Sequence, residues 1–246
     1  MVKKTVLITG AAKRIGKQIA LFMADNGWNI AMHYNSSEEE AKNLIKELEN
    51  KGVKAASIQA DLSKHTDVAR IFPEVNKRVG VIECLINNAS VFENDNINNI
   101  TEHSWDKNIT VNLKSSIFLI KEFVTQIGNN KGNIINILDY AVLRYPENFL
   151  SYTISKSALW AATQQLAINL AKKHIRINAI GPGNVLPSKY ETEEKFNLST
   201  QTSPLGINTD PMEICRAINF ILSSPSLTGQ IIALDSGKHL IGPEAY

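Results

Sequence analysis

The feature that most restricts this chain is an alternation: short, near-continuous apolar runs rich in β-branched residues recur between longer segments of helical periodicity. Val6-Leu7-Ile8 precedes a helix predicted from about Arg14 to the stop signal Asn26-Gly27. A second strand, Asn29 to Tyr34, leads into a charged helix that starts after Ser36-Ser37 and runs through Lys51-Gly52. The three glutamates that follow Ser37 suit the positive end of that helix dipole. A third strand, Ala55 to Ala60, ends at Asp61. The pattern predicts further a helix over 65–78, a strand over 81–86, a helix over 101–127 with room for a break, and a strand from Asn133 to Leu138. A long helix from about Ser151 to Lys173 comes next. Two last strands, Ile175 to Ile180 and Gln230 to Leu234, flank a polar insertion and a helix over 211–222. Runs without in–out alternation belong in a parallel sheet covered on both faces. Repeated βα units with right-handed crossovers give an α/β Rossmann fold, a doubly wound parallel sheet with helices on both faces. No linker, repeat or low-complexity tract divides the chain, so residues 1–246 read as a single domain.

Charge and cysteine usage exclude several classes. A net charge of +2 with dispersed Lys and Arg gives no footprint for nucleic acid. Cys84 and Cys215 have neither CxxC nor zinc-like spacing, and Cys84 sits in an apolar run that predicts a buried, inert thiol. His65, His103, His174 and His239 show no metal spacing, so no metal is expected. No stretch approaches the roughly 20 apolar residues that cross a bilayer, and no signal-peptide pattern opens the chain. A cytoplasmic protein is expected.

Directly after the first strand the chain reads Thr9-Gly10-Ala11-Ala12-Lys13-Arg14-Ile15-Gly16. Gly10 allows a tight turn, and Gly16 lets the helix pack closely against the sheet. The helix then presents free N–H groups to a pyrophosphate. The turn is not GxGxxG, because Arg14 replaces the middle glycine. Cofactor choice follows from charge: an acid at the end of the second strand serves the ribose 2′-hydroxyl of NAD. Here that region reads His33-Tyr34-Asn35-Ser36-Ser37, with no acid before Glu38. Lys13, Asn35, Ser36 and Ser37 can receive a 2′-phosphate that an acid would repel, so NADP(H) is the expected cofactor.

Tyr152 and Lys156 stand four residues apart on one face of the long helix. A tyrosine holds its proton to about pH 10, and an adjacent ammonium favours the phenolate, so the pair can pass a proton near neutrality.

With these pieces the chain resembles the short-chain dehydrogenase/reductase family over nearly its whole length. The matching motifs, in order, are the Thr9–Gly16 turn, Asp61-Leu62, Asn87-Asn88-Ala89, Asn112, Tyr152 with Lys156, and Arg176-Ile177-Asn178 leading to Pro182-Gly183. The resemblance implies that Asp61 and Leu62 lie beside the adenine and that Asn88, Ala89 and Ser90 approach the cofactor. It implies that Asn112 steadies a proton-relay water, and that Lys156 bonds the nicotinamide ribose while assisting Tyr152. It also suggests a homotetramer or dimer through the helices at 101–127 and 151–173.

Two departures narrow the choice. One is Arg14; the other is Asp139, which stands where the family usually has a serine that bonds a substrate carbonyl. Both resemble the pteridine reductase and dihydromonapterin reductase branch, as does Asn88-Ala89-Ser90-Val91-Phe92, which puts Phe92 where a pteridine ring would stack. Ser36 departs from that branch, where an arginine often meets the 2′-phosphate. An ionised Asp139 is a poor partner for a carbonyl oxygen, whereas an acid beside Tyr152 suits reduction of a C=N bond. The expected activity is therefore NADPH-dependent hydride transfer to a dihydropterin or dihydrofolate-like small molecule. Arg14, Phe92, Asp139 and Tyr152 are its expected substrate contacts. The alternatives are an NADPH-dependent carbonyl reductase for a ketone or acyl thioester, and a non-catalytic NADP(H) sensor. Asp139 could instead only cap the next helix or pair with Arg144. The polar stretch over about 183–210, with Asn184, Tyr190 and Phe196, is expected to form a substrate lid.

Overall fold

The computed structural model describes residues 3–188 and 191–241. Seven strands form one parallel sheet: β1 (Thr5–Ile8), β2 (Asn29–Tyr34), β3 (Ala55–Gln59), β4 (Cys84–Asn87), β5 (Gly132–Ile137), β6 (Ile175–Pro182) and β7 (Ile231–Leu234). Their order is β3-β2-β1-β4-β5-β6-β7, and each neighbouring pair is parallel. The order reverses between β1 and β4, which is where doubly wound sheets open a crevice outside the carboxyl ends of their strands.

Successive residues of each central strand feed opposite faces, as the two-residue period of a strand requires. Val6, Ile8, Ile30, Met32 and Ile86 pack with α1 (Arg14–Asp25), α2 (Glu38–Asn50) and α8 (Pro211–Ser223). Leu7, Ala31, Leu85 and Ile134 face α3 (His65–Val79), α5 (Ser115–Ile127) and the distal part of α6 (Leu150–Ala171). The doubly wound sheet read from the alternation is thus the observed fold. Cys84 and Cys215 are fully buried, and burial pushes their thiols up to about 12 and about 11 respectively, which leaves both inert.

Most boundaries fall within two residues of the expectation, and three features depart further. β4 starts at Cys84, because Val81 is exposed and the Glu83 carboxylate accepts the backbone N–H of Thr5 at 3.3 Å. The segment over 101–127 breaks into α4 (Glu102–Asn108), a π-helical turn (Ile109–Lys114) and α5. The wider turn is supported by hydroxyls: Ser115 donates to the Val111 carbonyl at 2.6 Å and Ser116 to that of Asn112 at 3.0 Å. The polar insertion is not wholly irregular, since it contains α7 (Glu193–Gln201). Thr192 caps that helix by accepting from the Lys195 N–H at 3.3 Å, and Glu193 and Glu194 sit at its positive end. Tyr190, expected in the lid, lies outside the described residues.

The β1–α1 turn is the tightest approach in the sheet's crevice. A Cβ on Gly16 would fall 2.2 Å from the Gly10 carbonyl oxygen and 2.8 Å from the Ala11 Cα. Both obstacles are backbone, so no side-chain rotation relieves the clash. Gly16→Ala is expected to cost about 3 kcal/mol, because it overpacks a rigid site. Urea unfolding should show this as a lowered midpoint at unchanged slope. An unchanged midpoint would mean that α1 can move away from the sheet.

Candidate active site

The carboxyl ends of β1 to β6 deliver the site. After β1, Gly10 takes a φ of +61°, and Thr9 Oγ1 accepts the N–H groups of both Asn88 and Ala89 at 2.9 Å. Asn88 answers with Nδ2, which donates to the carbonyls of Thr9 at 2.8 Å and Gly10 at 3.1 Å. The β1 and β4 turns are thereby stitched together across the crevice. Helix α1 begins with no side-chain cap and no acid in its first turn. Its first N–H groups and its dipole are therefore available to an anion, and the glycine cradle leaves room for a pyrophosphate.

His33 differs from the expectation. It is buried, its Nδ1 accepts the Gly10 N–H at 3.1 Å, and its Nε2 lies 2.9 Å from the Ala60 carbonyl. This pattern requires a neutral ring with the proton on Nε2, and burial lowers its pKa to about 4. His33 holds the turn from behind and has no nitrogen left for a cofactor. Tyr34 is half-buried, while Asn35 and Ser36 are exposed at the end of β2. Ser37 is buried at the start of α2, and the exposed Lys13 ammonium lies 3.8 Å from Glu40. Asp61 accepts from the Ser63 hydroxyl at 2.7 Å and its N–H at 3.0 Å, bonds that hold its carboxyl below the usual range; Leu62 is buried beside it.

Arg14 adopts a φ of +54°, the left-handed region that a middle glycine would enter freely. Its Nη2 donates to the carbonyls of Leu186 at 3.3 Å and Pro187 at 3.0 Å, so this side chain joins the β1 turn to the segment after β6. Pro182 ends β6, and Gly183 follows so closely on Asp235 that a Cβ would meet its Cα at 2.8 Å.

The reactive groups come from β5 and α6. Tyr152 Oη donates to Asp139 Oδ2 at 2.8 Å, and Asp139 Oδ1 accepts the Ala141 N–H at 2.9 Å. Asp139 therefore caps the short turn Tyr140–Val142 and engages Tyr152 at once. Burial pushes the Asp139 carboxyl up; the Ala141 N–H, the Tyr152 hydroxyl, Lys156 and Lys238 oppose it. The Tyr152 hydroxyl is pushed well above 10, by burial first and by the Asp139 charge and bond second. The expectation that Lys156 draws Tyr152 toward phenolate is not met. Its Nζ donates to the Ile137 carbonyl at 2.8 Å and lies 5.8 Å from the tyrosine ring centre, so the nearer carboxylate dominates. Burial lowers Lys156 itself to about 8, against the pull of Asp139.

Asn112 lies in the π-helical turn with its side chain fully engaged. Its Oδ1 accepts from the Val91 N–H at 2.8 Å and the Ser90 hydroxyl at 3.2 Å. Its Nδ2 is 3.0 Å from both the Val91 carbonyl and Ser155 Oγ.

These groups open into a cavity of about 1190 Å³, walled also by Arg14, Phe92, Phe149 and the segment after Gly183. Phe92 stacks on Phe149 with centroids 4.2 Å apart and 16° between planes, and meets the Tyr152 ring edge-on at 4.7 Å. The sequence reading missed Phe149, whose φ of +64° marks a bulky residue in a rare conformation. It also missed Lys238, a buried lysine whose Nζ donates to Ser199 Oγ at 2.6 Å and so anchors α7. Neither belongs to a short motif. Among the described residues no group of three or more His, Cys, Asp or Glu could hold a metal ion, and no helix is long and apolar enough to cross a membrane.

A parallel doubly wound sheet with a glycine cradle at its switch point, and a buried acid–tyrosine–lysine set alongside, defines a Rossmann-type oxidoreductase. The chain belongs to the short chain dehydrogenase family, whose pattern matches residues 4–196. It is similar to the solved structure of FolM alternative dihydrofolate reductase 1 from Brucella suis in complex with NADP. The two are 37% identical over 99% of each chain, with a TM-score of 0.95. The Brucella canis counterpart, also with NADP, is 36% identical over 98% of this chain and 96% of its own, with a TM-score of 0.94. Among curated relatives, a 3-oxoacyl-(acyl-carrier-protein) reductase of Staphylococcus epidermidis is 28% identical over 96% of this chain and 99% of its own.

The position of Lys156 makes a pH dependence. Below about 8 it is an ammonium that places a buried positive charge beside Asp139; above that value it is neutral. We expect kcat/KM for reduction to fall as pH rises through about 8, as read from initial rates in constant-ionic-strength buffers. A profile level to about two units beyond that point would show that the charge of Lys156 is not used.

Proposed function

We propose that this protein is an NADPH-dependent reductase of the C=N bond of a dihydropterin or dihydrofolate-like small molecule. The observation that carries the reading is the 2.8 Å bond between Tyr152 Oη and Asp139 Oδ2 in a buried site. The likeness to the NADP-bound alternative dihydrofolate reductases supports it. Reducing a C=N bond takes a hydride at carbon and a proton at nitrogen, giving CH–NH.

The cofactor is NADP(H), which when bound supplies the hydride. The N–H groups at the start of α1 hold its pyrophosphate, with Gly10, Ile15 and Gly16 shaping the cradle and Arg14 beside it. Lys13, Asn35, Ser36 and Ser37 receive the 2′-phosphate, with Tyr34 at their edge. Asp61 and Leu62 flank the adenine, Asn88, Ala89 and Ser90 line the ribose side, and Pro182-Gly183 close the far wall. Lys156 bonds the nicotinamide ribose, and its charge acts on Asp139.

Phe92 stacks on the substrate ring and Arg14 meets its polar edge. Asp139, with its carboxyl raised by burial, delivers the proton to the ring nitrogen or bonds the polar edge. Tyr152 keeps its own proton and donates a hydrogen bond to Asp139, which holds the carboxyl in place; the proton that Asp139 gives up is replaced from solvent through the open cavity. Because the Asn112 side chain is already saturated, it steadies the relay through the shape of the π-helical turn that bears it. The segment over 183–210 covers the substrate, held by Arg14 at Leu186 and Pro187 and by Lys238 at Ser199. The chain assembles as a dimer or tetramer through the 101–127 and 151–173 helices; Ile168, 79% exposed on α6, supports this, whereas Leu159 is spent in the internal core.

A second reading, reduction of an acyl thioester ketone, is favoured by the similarity to 3-oxoacyl reductases. The two separate on substitution at residue 139. With NADPH and 7,8-dihydrobiopterin, Tyr152→Phe and Asp139→Ser should each lower the rate of absorbance loss by about 100-fold or more, the scale of a lost proton donor. No pterin turnover, together with ketone reduction that improves in Asp139→Ser, would replace the first reading by the second.

A further inference from the structure

Asp95 is a buried carboxylate that takes no part in the chemistry above, yet it is tied to the elements that do. It is 2% exposed, and it accepts three hydrogen bonds from the first turn of α6. Its backbone carbonyl takes the Leu150 N–H at 3.0 Å, Oδ1 takes the Ser151 N–H at 3.0 Å, and Oδ2 takes the Ser151 hydroxyl at 2.5 Å. A carboxylate from 56 residues upstream thus supplies the cap that α6 lacks locally, since Phe149 at its N-cap has no capping side chain.

The bonds continue into a closed circuit. Ser151 Oγ accepts from Asn108 Nδ2 at 2.8 Å, and Asn108 Oδ1 accepts from Asn112 Nδ2 at 3.2 Å. Asn112 holds both backbone groups of Val91, and the chain from Val91 to Asp95 closes the ring. Phe92 lies inside that short span, pinned at one end to the π-helical turn and at the other to α6. Phe149, on which Phe92 stacks, and Tyr152, which Phe92 meets edge-on, flank the two residues Asp95 grips.

We propose that Asp95 is a positioning residue that sets Phe92 against Tyr152, and so fixes where the substrate ring stands relative to the proton donor. This rests on the reading of Phe92 as the substrate platform. The cap acts at short range because the helix start and the 91–95 span are rigid only while both are tied. Without the Asp95 carboxylate, Ser151 loses the acceptors of both its N–H and its hydroxyl, and the 91–95 span that carries Phe92 keeps only its backbone tie to Leu150 at this end. The cofactor cradle, built from β1, β4 and Asn88, does not share these bonds.

The test is steady-state kinetics of Asp95→Ala, Asp95→Asn and Ser151→Ala, with NADPH affinity followed by fluorescence in each. In Asp95→Ala we expect kcat/KM for dihydrobiopterin to fall by about tenfold or more, chiefly through KM, since a displacement of about 1 Å is costly. NADPH affinity should stay within about twofold, because uniform binding of the cofactor is untouched. Asp95→Asn, which keeps an acceptor for the Ser151 N–H, should recover most of the loss. If Asp95→Ala does not fold, Ser151→Ala, which removes only the hydroxyl bridge, decides by the same criterion. A change in kcat/KM below about threefold, or NADPH affinity falling by the same factor as kcat/KM, would overturn the proposal. If the wild-type protein reduces an acetoacetyl thioester and not the pterin, the pterin reading fails by itself, and the same comparison is run on the thioester.

Discussion

Gly16 sits where any side chain would collide with the backbone of the turn that precedes it, and that close approach organises the whole crevice. Because α1 can press against Gly10 and Ala11, the β1 turn comes near enough to β4 for Thr9-Gly10 to accept four hydrogen bonds from Asn88-Ala89. Those bonds fix the gap at the sheet's switch point, and His33 braces the same turn from the far side as a neutral ring. In an open, doubly wound sheet the crevice forms outside the carboxyl ends at the point where the strand order reverses, so the site assembles at this edge. The apolar packing of α1, α2 and α8 beneath it supplies the rigidity on which the geometry rests.

The chemistry follows from the low polarizability of that edge. Asp139, Tyr152 and Lys156 are all shielded from water, and burial displaces each toward its neutral form. A dry tyrosine that keeps its proton is a donor, and a carboxyl beside it can pass a proton onward. Such a pair can supply the proton that the nitrogen of a C=N bond takes up when hydride reaches its carbon. The edge-on packing of Phe92 against Tyr152 then places a flat aromatic platform beside the donor. Asp95 holds the two in register through α6.

Legibility in the sequence tracked the range of the interactions. The strands, the glycine turn and the Tyr152–Lys156 pair were legible because period, φ preference and helical spacing are local properties. The seven strands and their doubly wound, parallel arrangement followed from the alternation, but their order did not; a break in the 101–127 segment was allowed for, though neither its place nor its π-helical form. The side of His33 that matters was not legible, since its two partners, Gly10 and Ala60, come from other strands' ends. Phe149, Asp95 and Lys238 escaped for the same reason: each acts on residues distant in sequence, and none stands in a motif. Helix α7 was missed because its few buried positions, Phe196 and Thr200, give little amphipathic pattern within a polar stretch.

The proposed preference of the site for a C=N bond over a carbonyl is measured by direct competition. Equal concentrations of 7,8-dihydrobiopterin and an acetoacetyl thioester are offered to the enzyme with limiting NADPH, and both products are quantified by mass spectrometry. The product ratio gives the ratio of kcat/KM values, free of differences in enzyme activity between assays. We expect tetrahydrobiopterin in excess by about 100-fold or more, since a site built for one polar partner penalises another strongly. An excess of the 3-hydroxyacyl thioester would contradict it and make Asp139 a structural cap in a carbonyl reductase.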